Sequence, residues 1–68
     1  MVKIRYLNKK GDEIKQILVT EARTQLIEEM DNGNIVYDED EKRIVDKATL
    51  GQIKADTNIA VLPRIAGG

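Results

Sequence analysis

The amino-acid sequence predicts a small α+β domain, in which one helix packs on one face of a mixed sheet of four or five strands. Three observations predict it. An alternating segment and a turn stand near the start of the chain, a helical repeat of apolar residues follows, and short apolar segments separated by turn residues come after it. The 68 residues suffice for one domain with a thin core.

The first two strands are predicted to form a hairpin. Apolar and charged residues alternate in residues 2–7, VKIRYL, which is typical of a half-buried strand. The glycine, asparagine and aspartate of residues 8–13 predict a turn, and residues 14–19, IKQILV, predict the second strand. The apolar alternation of this second segment shifts between Ile14 and Ile17, and a β-bulge would account for the shift.

A helix is predicted over residues 21–32. Thr20 is a suitable N-cap, and Glu21 follows where the helix dipole favours an acid. Gly33 ends the helix as a left-handed residue. The residues predicted to face the core have helical spacing: Ala22, Leu26, Ile27 and Met30. The residues predicted to face water are Arg23, Gln25, Glu28 and Glu29.

Three short strands are predicted after the helix. Two of them, residues 35–37 and 43–45, flank the acidic tip of residues 38–41. The last strand covers residues 59–62 and ends before Pro63, which has no N–H to donate to a neighbouring strand. Because a crossover through a helix is right-handed, the first and last strands are expected to lie side by side and parallel in the middle of the sheet.

The composition argues against an enzyme. The chain has neither cysteine nor histidine, so it lacks the commonest general base and the best nucleophile and zinc ligands. The acidic run of residues 38–41 lacks the glycine and the acid spacing of a calcium-binding EF-hand loop. We therefore predict no catalytic residues, no metal site and no stably bound cofactor, and we interpret the run as a solvated hairpin tip.

Charge and hydropathy also limit the partners. The 11 basic and 12 acidic residues are balanced, so we predict no nucleic-acid partner. No apolar run approaches the roughly 18 residues that a membrane span needs. The alternation in residues 1–7 differs from the continuous apolar stretch of a signal peptide. The predicted location is the cytoplasm, away from membranes.

The order of elements, with its final Gly-Gly, resembles the β-grasp, ubiquitin-like proteins. Residues 56–68, DTNIAVLPRIAGG, carry the specific part. They are similar to the endings of the small sulfur carriers of thiamin and molybdopterin synthesis, which have an acidic turn, a short strand and an arm ending in Gly-Gly. Pro63 is similar to the molybdopterin-synthase small subunit, whereas residues 65–68, IAGG, are closer to the thiamin carrier.

This resemblance implies a β-grasp domain over residues 1–63 and a flexible tail over residues 64–68. It also implies that an E1-like enzyme adenylates the carboxylate of Gly68, using Mg and ATP that belong to the enzyme. Gly67 and Gly68 have no side chains, so they suit a tail that threads a narrow channel and exposes its last carbonyl to attack.

Two uses of the activated carboxylate stay open. A sulfur carrier would hold a C-terminal thiocarboxylate and pass sulfur to an acceptor enzyme. A protein modifier would form isopeptide bonds with lysines of target proteins. The alternative is a β-grasp interaction module, natural or engineered, that is never conjugated and holds a partner by its sheet.

Docking of the enzyme is expected on the outer face of the sheet, by resemblance to ubiquitin's hydrophobic surface. The candidates are Val36 or Tyr37 in the middle strand and Ala60 or Leu62 in the last. The sequence leaves the choice within each pair open, because a shift of one residue exchanges the two faces of a strand. Arg64 is expected to meet an acidic patch at the mouth of the enzyme's channel.

Overall fold

The computed structural model describes residues 1–8 and 10–64. Its strands are β1 (Val2–Asn8), β2 (Gly11–Ile17), β3 (Ile35–Asp38), β4 (Arg43–Val45) and β5 (Asn58–Leu62), its helix is α1 (Val19–Asp31), and a 3₁₀ turn spans Leu50–Gln52. The strands form one sheet in the order β2-β1-β5-β3-β4. β1 and β5 are adjacent and parallel, and the other neighbours are antiparallel. The predicted α+β class and parallel central pair are confirmed, and the arrangement is compatible with a β-grasp.

The first hairpin is tighter than predicted. The pairing of β1 with β2 runs without interruption from Val2 opposite Ile17 to Asn8 opposite Gly11. The second strand therefore begins at Gly11 rather than at residue 14, and the expected β-bulge is absent from it. The turn closes early because Asn8 accepts a hydrogen bond from the backbone N–H of Lys10, 2.8 Å away, and because Gly11 adopts a φ of 121°.

The helix begins earlier than predicted, and Thr20 is not its N-cap. The N-cap is Leu18, whose backbone is extended and whose side chain forms no capping hydrogen bond. The carbonyl of Leu18 accepts the first helical hydrogen bond, from the N–H of Ala22 at 2.8 Å, which places Thr20 inside the first turn. The other end agrees with the prediction, since Gly33 follows the helix with a left-handed φ of 85°.

The helix buries a narrower face than its spacing predicted. Ala22 and Leu26 are fully buried and Met30 is half-buried against the core. Ile27 keeps 39% of its surface exposed, so the prediction that it faces the core is wrong. The sheet covers only the stripe centred on Leu26, and Ile27 lies a further helical step of about 100° around the axis.

Three helix residues predicted to face water, Arg23, Gln25 and Glu29, are instead engaged with the rest of the domain. Arg23 donates from Nη2 to the carbonyl oxygens of Gly51 and Ile53, at 3.3 and 3.2 Å. Gln25 accepts a hydrogen bond from the hydroxyl of Tyr6 at 3.1 Å. Long polar side chains at the edge of a helix face can reach backbone carbonyls and hydroxyl groups that periodicity alone does not locate.

The core lies between α1 and one face of the sheet, and the 3₁₀ turn closes one end of it. It contains the buried side chains of Val2, Ile4, Ala22, Leu26, Val36, Val45, Leu50, Ile53, Ile59 and Val61. Among the described residues, no helix is long and apolar enough to cross a membrane.

Candidate partner-binding face

The face of the sheet opposite the helix has its own row of side chains. Side chains alternate along a strand, so the neighbours of the buried core residues point to this opposite side. The strand register places five of them in one line across the sheet: Ile14, Arg5, Ala60, Tyr37 and Ile44. In the next line across the sheet, Leu62 of β5 pairs with Ile35 of β3. Leu7 belongs to the same line, because it follows Tyr6 in β1 as Leu62 follows Val61 in β5.

We call this surface the outer apolar face and define it by Leu7, Ile14, Ile35, Tyr37, Ile44, Ala60 and Leu62. All three isoleucines of this face are exposed: Ile14 keeps 56% of its surface accessible, Ile35 41% and Ile44 65%. Single exposed apolar residues are common on proteins, but several gathered on one face are typical of an interaction site.

The structure settles which side of each strand the predicted partner residues occupy. Tyr37 and Leu62 are half-buried and lie on the outer apolar face. Ala60 lies on the same face, although its small side chain is only 4% exposed between larger neighbours. Val36 is 1% exposed and belongs to the core. Val36 is therefore not available to a partner, because its side chain points toward the helix.

An ion pair crosses the middle of the outer apolar face. Arg5 Nη2 lies 2.7 Å from Glu39 Oε2. In the register Arg5 stands beside Ala60, whose single methyl group leaves room for the longer side chain to cross β5. The Nε of Arg5 is buried and has no hydrogen-bond partner. The face therefore combines apolar side chains with a fixed charge pair, which favours a specific partner over general adhesion.

The segment after β5 starts against the turn that follows the helix. The backbone N–H of Arg64 donates to Oδ1 of Asn34 at 3.1 Å, and Nδ2 of Asn34 donates to Oε2 of Glu29 at 2.7 Å. The Arg64 side chain itself is exposed. The remaining predicted site residues, Gly67 and Gly68, lie outside the residues that the structure describes.

The acidic tip after β3 is held by hydrogen bonds. Asp38 is 5% exposed and accepts hydrogen bonds from the backbone N–H groups of Asp40 and Glu41, at 2.9 and 3.0 Å. Hydrogen bonds from the side chain and backbone of Asn58 lower the pKa of Asp40. No group of three or more potential ligands suited to a metal ion occurs within residues 1–8 and 10–64. The tip is a closed turn, and its first aspartate is buried rather than solvated.

Sequence reasoning missed four members of the outer apolar face: Leu7, Ile14, Ile35 and Ile44. The sequence of the second strand contained a pattern that could have identified Ile14. The alternation that shifted between Ile14 and Ile17 was interpreted as a bulge, whereas the two residues lie on opposite faces of a regular strand. An apolar residue out of phase in a strand with few buried neighbours indicates a second apolar face as readily as it indicates a bulge.

Comparison with protein-family models, with curated proteins and with solved structures gives no match to this chain.

Proposed function

We propose that this chain is a β-grasp, ubiquitin-like carrier, whose Gly68 carboxylate is adenylated by an E1-like enzyme that docks on the outer apolar face. One observation carries the proposal. The outer apolar face includes Ala60 and Leu62 of β5, and β5 leads directly into the segment that ends in Gly67-Gly68. A protein bound to this face is next to the start of that segment.

There is a physical reason for one part of the chain to bind the enzyme and another part to react. Ordering a chain segment costs roughly 1–2 kcal/mol per residue in backbone entropy, so two glycines alone bind a channel weakly. Buried apolar area contributes about 25 cal/mol per Å² before the costs of association. The outer apolar face is therefore proposed to supply most of the affinity, while the terminal segment supplies the reacting group.

The chemistry proposed for Gly68 needs no catalytic group from this chain. A carboxylate oxygen attacks the α-phosphorus of Mg-bound ATP in the enzyme, and pyrophosphate leaves. Sulfide then displaces AMP and gives a thiocarboxylate, from which an acceptor enzyme takes sulfur. Alternatively, an enzyme thiol displaces AMP to give a thioester, and the amine of a target lysine then displaces that thiol to give an isopeptide bond. ATP is a cytoplasmic substrate, and we propose that compartment.

A second function fits the same face. A β-grasp interaction module that is never conjugated would also use the exposed Ile44 and its neighbours to hold a partner protein. The two proposals differ only in the need for Gly68, so deletion of Gly68 separates them.

The test is an intact-mass spectrum of the N-terminally tagged protein, isolated under denaturing conditions from its native host. An increase equal to the exchange of one oxygen for sulfur supports the sulfur carrier. A ladder of heavier species that disappears when Gly68 is deleted supports the modifier. A spectrum with the unmodified mass alone, from cells grown under sulfur demand and under stress, refutes activation and leaves the interaction module.

Docking is tested by Ile44→Ser, with Ile27→Ser as the matched control. Both isoleucines are exposed, at 65% and 39%, but Ile27 lies on the helix and outside the outer apolar face. We expect Ile44→Ser to reduce the modified fraction by about 10-fold, as loss of a strongly contributing interface residue does, and Ile27→Ser to leave it unchanged. Equal effects of the two variants would contradict docking on this face.

A further inference from the structure

Arg64, the second residue after β5, is hydrogen-bonded to the turn at the end of the helix. This contact determines how the terminal segment begins. Arg64 donates its backbone N–H to Asn34 Oδ1 at 3.1 Å. Asn34 is held in turn, because its Nδ2 donates to Glu29 at 2.7 Å and its own N–H donates to the carbonyl of Glu29 at 2.9 Å. We call Glu29, Asn34 and Arg64 the tail latch.

Asn34 is suited to this position by its chemistry. Its side-chain amide offers an acceptor and a donor at once, and the structure uses both. An aspartate would lack the donor toward Glu29, and an alanine would lack both groups. The Asn34 side chain is half-buried, so its orientation is fixed more firmly than that of a fully solvated amide.

Gly33 leaves the space in which Arg64 lies. A Cβ atom at Gly33 would come within 3.0 Å of Cδ of Arg64, which is closer than ordinary van der Waals contact. The aliphatic part of Arg64 therefore covers the glycine of the helix-ending turn. Its positive charge is also placed near the helix C-terminus, where the dipole favours a cation.

The tail latch and the proposed threading of the tail into a channel both use the backbone N–H of Arg64. A segment that enters a narrow channel as an extended strand offers its backbone N–H groups to the channel wall. The N–H of Arg64 is already occupied by Asn34. Uptake of the segment from Arg64 onward therefore requires this hydrogen bond to break first.

We propose that Asn34 is a positioning residue that holds Arg64 in a latched state, and that the activating partner must release Arg64 from it. This inference rests on the proposed function for its biological meaning. The latched and released states themselves are properties of the free protein and are measured without any partner.

The test uses the full chain and trypsin as the probe. Trypsin cleaves after Arg64, and it binds its substrate in an extended form that needs the backbone N–H of the arginine. Proteolysis that is slow relative to local opening follows the population of the open form. Loss of one hydrogen bond is expected to raise that population by about 2- to 10-fold, so Asn34→Ala should speed cleavage of the 64–65 bond by that factor.

The matched control is Asn32→Ala. Asn32 is the C-cap of the same helix, is exposed, and its side chain accepts and donates no hydrogen bond among the described residues. Cleavage after Arg23, inside the helix, reports global unfolding in the same digest. We expect Asn34→Ala to raise the ratio of cleavage after Arg64 to cleavage after Arg23, and Asn32→Ala to leave the ratio unchanged.

Amide hydrogen exchange supplies the second readout. The Arg64 amide should exchange faster in Asn34→Ala by the same factor, while the Ala22 amide, inside the helix, keeps its rate. If both the cleavage ratio and the Arg64 exchange rate equal those of the unaltered protein, the latch is refuted whatever the mass spectrum shows. If the latch opens in Asn34→Ala but no modified protein is found in the host, the latch stands and the activation proposal fails.

Discussion

Leu26 is the residue whose removal should best test the packing of the helix. It is completely buried and lies at the centre of the helix face that covers the sheet. Leu26→Ala keeps a strong helix former in place, so the substitution changes packing and leaves helix propensity nearly unaltered. We expect it to lower the free energy of unfolding more than truncation of any other helix residue to alanine.

The magnitude follows from the burial. Complete burial means that the full transfer free energy of the lost carbon atoms is forfeited and that a cavity is left, which together cost about 2–5 kcal/mol. A chain of 68 residues is expected to have a total free energy of unfolding of about 3–10 kcal/mol. Leu26→Ala should therefore remove about a fifth or more of the stability and lower Tm by at least about 8 °C.

Ile27→Ala is the matched control, one residue along the same helix. Ile27 retains 39% of its surface exposed, and solvent or neighbouring side chains fill the space after truncation. We expect a loss of about 1 kcal/mol or less. The two variants remove the same number of carbon atoms, so the difference between them measures mainly burial, with a smaller contribution from the lower helix propensity of isoleucine.

The assay is equilibrium unfolding in urea, followed by circular dichroism at the helical minimum, with thermal unfolding as a second measurement. The expected result is a lower urea midpoint for Leu26→Ala at an unchanged slope. If Ile27→Ala is as destabilising as Leu26→Ala, the helix is rotated relative to the face described above, and the assignment of its buried stripe is wrong.

Two further predictions concern titratable groups. The backbone N–H and the hydroxyl of Thr49 donate to Asp46 and lower its pKa below the usual 3.8. This stabilisation is present above the unfolded pKa and is lost as pH falls through the folded pKa. The Tm difference between the unaltered protein and Asp46→Asn should therefore shrink in acid, and a constant difference would contradict the prediction. Burial, followed by the charges of Glu29 and Glu13, raises the pKa of Tyr6 above 10.0, and the associated stability is lost as pH rises through that higher value. Tyr6→Phe should cost about 1 kcal/mol at neutral pH by removing the hydrogen bond to Gln25, and it should remove an ionisation step above pH 10.0 from an absorbance titration.

The periodic parts of the sequence predicted the fold well. The alternation in β1 and the helical spacing of Ala22 and Leu26 are local consequences of strand and helix geometry. The left-handed Gly33 also follows from local sterics. The central parallel pair of β1 and β5 was predictable because crossover handedness leaves few arrangements for one helix and five short strands.

The errors lie where tertiary contacts override local preference. Thr20 has the better capping side chain, yet the helix starts beyond Leu18 because the chain leaves β2 already extended there. Arg23 has carbonyl partners 28 and 30 residues away in the chain, which no periodicity contains. The side of the sheet on which Tyr37 lies depended on register, and the paired strands fix that register only in the folded domain.

The place of β5 in the sheet has a consequence for how this chain folds. β5 is the last strand along the described chain, but it lies between β1 and β3 and joins the β1–β2 hairpin to the β3–β4 hairpin. Until residues 58–62 are present, the two hairpins have no common strand, and an isolated two-stranded hairpin is at best marginally stable in water. Contacts between residues far apart in the sequence, such as those between β1 and β5, also slow folding. During synthesis the domain should therefore remain open until its final strand leaves the ribosome, so that a chain interrupted before β5 exposes two unpaired hairpins to cellular proteases.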